Sequence, residues 1–185
     1  GRGSLGRRYW IVLGVGSVIA LARFSEAFLV LRGQQLGLPM AWVPAVILVM
    51  SLVYAASAYP AGLAARYWSR RTLLATGLAV LIGADLVLAG ADGIVLVLVG
   101  AALWGLHMGL TQGLLAALVA DAVPPERTGT AFGVFHLATG VFLLLASALA
   151  GLVWDRYGAP ATFFTGAAFG AVALAGLLLT HRRYG

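Results

Sequence analysis

The sequence predicts an all-α membrane protein with six transmembrane helices. Three observations lead there. First, six apolar stretches fill nearly the whole chain, at residues 9–31, 41–64, 72–89, 94–120, 129–153 and 161–180. A hydrocarbon core of ~30 Å needs ~20 apolar residues in a helix rising ~1.5 Å per residue. Second, hydrophobic residues make up 62% of the chain and charged residues 10%. That is too little charge to coat a water-soluble domain. Third, segments 96–103 and 167–179 lack the polar face that a soluble amphipathic helix keeps.

The elements follow in order. Residues 1–8 read as a basic cytoplasmic linker, 9–180 as the transmembrane domain and 181–185 as a cytoplasmic tail. A turn from Gly33 to Pro39 separates the first two spans, and residues 65–71 separate the second from the third. Gly90–Gly93 makes a tight turn before the fourth. Pro124-Pro125-Glu126-Arg127 stops the fourth helix and starts the fifth, and residues 155–160 join the last two. Gly62 near the end of the second span and Gly151 near the end of the fifth are each followed by a charged tight turn. One turn lies on each side of the membrane, as a three-plus-three inverted repeat requires.

The net charge is +6, and every basic residue is Arg. The arginines sit at the ends of apolar runs and form no nucleic-acid-binding stripe. With a cytoplasmic N-terminus, Arg2, Arg7, Arg8, Arg66, Arg70, Arg71, Arg127, Arg182 and Arg183 lie inside. Arg32 and Arg156 lie outside, and Arg23 falls within the first span. The positive-inside rule therefore places both termini in the cytoplasm. The absence of cysteine excludes disulfides, zinc thiolates and a cysteine nucleophile. There is no P-loop, dinucleotide fingerprint, nucleophile elbow or paired-histidine metal motif. No enzyme, metal or cofactor is expected. The first residue is Gly, so the chain reads as part of a longer protein.

A charged side chain at the bilayer centre costs ~2.5–3.5 kcal/mol on insertion scales. The few polar residues inside the spans therefore need a reason. Arg23, Ser25 and Glu26 lie in the first span, and Trp104, His107, Thr111 and Gln112 in the fourth. His136 and Thr139 lie in the fifth, Tyr54, Ser57 and Tyr59 in the second, and Asp85 near the outer end of the third. This distribution makes the first and fourth helices candidates to line a wet cavity, with the third and sixth facing lipid. Arg23 and Glu26, three residues apart, share a face of a continuous helix. They form either a local ion pair or a pair that opens to a solute or proton. Trp104, His107 and Thr111 share a face too. The histidine is either bonded to a neighbouring helix or part of a site for an organic or cationic solute. His136 reads as structural or as part of the same pathway, and Asp85 as a snorkelling acid. Glycines at 105, 109 and 113, at 129 and 133, and at 166 and 170 mark faces for close helix packing.

Three stretches carry a family resemblance. They are Arg23-Phe24-Ser25-Glu26-Ala27-Phe28-Leu29, the loop from Gly62 to Arg71, and the run through Leu106–Gly113, Pro124–Gly133 and Gly151–Gly158. The chain resembles the C-terminal six-helix half of a major facilitator superfamily transporter, helices seven to twelve of a twelve-helix fold. In the loop, Gly62, Arg70 and Arg71 match the family pattern. Arg66 stands where an acid is expected, Tyr67 where an Arg is, and Ser69 where a second Gly is. Arg66 cannot make the charge pairing by which that acid latches the cytoplasmic side.

The resemblance implies a bacterial inner-membrane protein that moves a small solute by alternating access, as proton-coupled efflux. The lipid bilayer, a small-molecule substrate and a second half are the partners implied. The second half is a missing N-terminal six-helix domain or another copy in a homodimer. A non-transporting assembly subunit of the membrane is the alternative.

Overall fold

The computed structural model describes residues 5–179. The expected tail at 181–185 and Arg2 lie outside the described residues. Within them the chain is helical, with no strand. The first span is α1 (Arg7–Ala22) followed by α2 (Ala27–Gln35), and α3 (Val43–Ala64), α4 (Arg70–Ala89) and α5 (Ile94–Asp121) are the next three. The last two spans run together as α6 (Thr128–Leu179). α1 already includes Arg7 and Arg8, so the helix begins inside the stretch expected to be linker.

Two differences from the sequence reading have clear causes. The first span is not continuous. Arg23 adopts an extended conformation, φ −115° and ψ 99°, and helix resumes at Ala27. A broken backbone inside a membrane must find hydrogen-bond partners within the protein. Ser147 supplies one, its Oγ accepting from the Ser25 N–H at 3.0 Å. The joint between the last two spans is likewise not a loop. Only Gly158 leaves helical geometry, at φ 84° and ψ 176°, a region open to glycine alone. Pro160 then falls in the first turn of the second arm, where a missing N–H costs no helix bond. α6 therefore has two arms, 128–157 and 159–179, and counts as two spans.

The other ends are formed by familiar local chemistry. Gly37, at φ 91°, ends α2. Its N–H donates to Gln34 O at 3.1 Å, and Leu38 N–H to Gly33 O at 2.9 Å, the paired bonds of a Schellman cap. Ser69 caps α4, its Oγ accepting from Thr72 N–H at 3.0 Å.

The spans pair in a pattern that reveals the repeat. The first packs on the fifth, with Gly16 against the Phe135 ring and Tyr9 OH donating to Ala131 O at 2.8 Å. The fourth packs on the second, with Gly105 against the Met50 carbonyl and Gly109 against Ser57. The third meets the fourth through Gly77 and Thr111 and the sixth through Gly170 and Ile82. The sixth meets the first around Ile19, Leu78 and Ala173. Exchanging the first three spans for the last three leaves this pairing unchanged. Each unit has three spans, an odd number, so the second unit is inverted in the membrane.

Candidate functional site

A cavity of about 410 Å³ opens between the first, second, fourth and fifth spans. Gly16, Arg23, Tyr54, Thr111, Gln112, Phe132, Phe135, His136 and Thr139 lie in its wall. The third and sixth spans contribute none of it. Arg23 reaches the cavity because the helix breaks there, and it lies within electrostatic range of Glu26 and Tyr54. Tyr54 OH donates to Gln112 Oε1 at 3.4 Å, tying the second span to the fourth. His136 is exposed, stacked on Phe132 at 5.9 Å and edge-on to Phe135 at 5.7 Å. The wall thus offers a guanidinium, an imidazole, hydroxyls and an amide, set among aromatic faces. Hydrogen-bonding groups set among ring faces are the materials of small-solute sites in general.

Of the residues singled out from sequence, Arg23, Thr111, Gln112 and His136 meet in this wall. Three do not. Trp104 and His107 are fully buried, although they share a helix face with Thr111. His107 Nδ1 donates to Gly77 O at 2.7 Å, which ties α5 to α4 and leaves Nε2 without a partner. On this face His107 and Thr111 pack against α4 at Gly77, and Trp104 packs against Phe24. Glu26 lies past the break, half-buried and off the wall. The expected Arg23–Glu26 pair on one helix face is corrected: Arg23 lies outside the helix. Among the described residues the one ion pair is Arg70–Asp121.

An aromatic cluster closes the other side. Phe24 lies 5.2 Å from Phe28, 5.4 Å from Trp104 and 5.6 Å from Phe163. Trp154 joins Phe28 and Phe163. These rings sit toward the Gly90 and Gly158 turns, and the cavity sits toward Tyr9 and the 123–131 segment. Phe24, which meets three of these rings, stands in the sequence reading only as part of the Arg23–Leu29 stretch. Its signal was its position between two charged residues of an otherwise apolar span.

In the Gly62–Arg71 loop the contacts to other helices are made by Arg70 and Arg71. Gly62 and Arg66 are exposed. Arg70 Nη2 donates to Asp121 Oδ2 at 2.5 Å at the end of α5. Arg71 donates from Nε to Leu177 O at 3.2 Å and from Nη2 to Leu178 O at 2.6 Å. Asp85 departs from the sequence reading as well. It does not snorkel but is fully buried.

The chain is 26% identical over 154 residues to uncharacterized proteins of Mycobacterium tuberculosis strains H37Rv and CDC 1551 and of Mycobacterium bovis. The alignments cover 82% of this chain and 37% of each relative, so the chain spans well under half the length of the curated relatives it matches. The family model described as Major Facilitator Superfamily matches residues 11–184. With its six spans, inverted repeat and nearly complete match, the chain belongs to the Major Facilitator Superfamily, a family of membrane transporters.

Proposed function

We propose that this domain is one half of a secondary transporter that exports a small solute across a bacterial inner membrane by alternating access. The cavity carries the reading. A hollow lined by Arg23, Gln112 and His136 inside an apolar bundle is costly unless water or a solute fills it. A second six-span unit, preceding this one, closes the cavity from the side where α3 and the first arm of α6 are most exposed. Both termini lie in the cytoplasm, where most of the arginines gather. Energy comes from the proton gradient, since Glu26, His107 and His136 are titratable and no nucleotide motif is present.

The test uses the full-length transporter in proteoliposomes with the pH dye pyranine trapped inside. A panel of small organic anions and cations is applied under a proton gradient. Solutes that are carried produce a proton flux. Arg23→Gln then slows that flux about tenfold or more, as expected for loss of a charge-assisted hydrogen bond worth ~1.5–3 kcal/mol. Proton-driven transport that survives in the double variant Glu26→Gln, His107→Asn would remove those two residues from the coupling. A domain that assembles without transporting gives no solute-dependent flux with any panel member.

A further inference from the structure

Asp85 is fully buried, and neither carboxylate oxygen has a hydrogen-bond partner. Gly166, on the second arm of α6, makes room for it. A Cβ at Gly166 would lie 2.6 Å from Asp85 Oδ2 and 2.6 Å from Phe24 Cε1. The carboxyl therefore sits in a cradle of bare backbone, with the Phe24 ring beside it. Phe24 and Gly166 also form part of the wall of a separate cavity of about 110 Å³, whose other lining includes Leu145, Leu149 and Phe169.

We propose that Asp85 is a proton-binding site of this domain, distinct from the solute cavity and gated by the second arm of α6. The role in coupling rests on the proton-driven reading above; the site itself rests on the cradle. A carboxylate with no donor, cation or water-facing edge is not held as an anion in such surroundings. A metal cation is not the occupant proposed, because such ions take several oxygen ligands and among the described residues no cluster of His, Asp or Glu side chains gathers to hold one. The charged neighbours are all committed or distant. Arg32, one turn along, donates to Leu88, Ala89 and Ala91 carbonyls and to Gln35. His107 on α5 is bonded to Gly77 O. Arg23 and Glu26 flank Phe24 in sequence but make no ion pair with Asp85. Arg70 and Arg71 lie at the opposite end of α4, and the second arm of α6 carries no charged residue within 159–179. Movement of the second arm or of Phe24 admits water from the small cavity. The carboxylic acid then gives its proton to water, and the carboxylate takes one back from hydronium before the cradle closes.

Infrared spectroscopy on the full-length transporter in liposomes reads the site without any solute. Near neutral pH a carbonyl-stretch band of a protonated carboxylic acid is present, and the isosteric Asp85→Asn variant lacks it. Identical spectra for the two proteins at every pH overturn the proposal. If Asp85→Asn does not fold, Gly166→Ala keeps the acid and fills its cradle. The titration midpoint of the band then shifts, and an unshifted midpoint overturns the proposal. In the pyranine assay, Asp85→Asn abolishes proton flux while exchange of the same solute at equal concentrations continues. Unchanged proton flux in this variant also overturns the proposal. A wild-type protein with the band but no proton flux refutes proton-driven transport and leaves the Asp85 site standing.

Discussion

Gly105 and Gly113 lie on the same helix, two turns apart, and stand in opposite surroundings. A Cβ at Gly105 would run into the Met50 carbonyl, whereas at Gly113 nothing lies within 4 Å. Backbone cannot yield as a flexible side chain can. Gly105→Ala is therefore expected to destabilise the domain by about 1–3 kcal/mol, the usual penalty of overpacking. Gly113→Ala should be neutral or slightly stabilising, since alanine is the better helix former. Thermal unfolding of the two variants in the same detergent checks the contrast, and equal melting temperatures would refute it. Sequence spacing marked both as packing glycines, because spacing shows which residues share a face but not what stands opposite. The burial of Asp85 was illegible for the same reason: it depends on Gly166, some eighty positions away in the chain. His107 was legible in part, since a bond to a neighbouring helix was one of its two readings.

At the scale of elements, the length of the spans was plain from apolar composition, and the ends of α3, α4 and α5 fall within two residues of the expected limits. The break at residues 23–26 was not. No glycine or proline marks it, and a helix interruption satisfied by Ser147 from another span leaves no local trace. Two arginines reach the backbone of other helices. Arg32, 8% exposed, donates to the last carbonyls of α4, and Arg71 donates to Leu177 O and Leu178 O in α6. Arg32 satisfies acceptors that the α4 terminus leaves open and opposes the negative end of that helix dipole. Arg32→Ala is expected to cost about 1.5–3 kcal/mol, the worth of a charged hydrogen bond. Asp121→Asn should cost under about 1 kcal/mol, because both partners of the Arg70 pair are nearly half exposed. Chemical denaturation of both variants gives the ranking. An equal or larger loss for Asp121→Asn would reverse the roles assigned here.

For the whole molecule, the cavity and the aromatic cluster occupy opposite ends. The chain has no cysteine, so single cysteines can be introduced without background. A cysteine at position 112 or 136, in the cavity wall, should react rapidly with a membrane-impermeant thiol reagent applied from the side of Tyr9. One at position 104 should stay unreactive in folded protein and react only on denaturation. Labelling at 104 as fast as at 136 would contradict the closure by Phe24, Phe28, Trp154 and Phe163.

Gly158 carries a mechanical consequence. Consecutive Cα atoms stand ~3.8 Å apart, so a joint of one residue leaves the fifth and sixth spans no slack. The end of the fifth span and the start of the sixth therefore cannot part, as a leaf stays on its pin. The fourth and fifth spans are joined by the longer 122–127 segment and are free of that constraint. Lengthening the joint with inserted residues would let the two ends part, so that a displacement of the fifth span's end would no longer be carried into the start of the sixth.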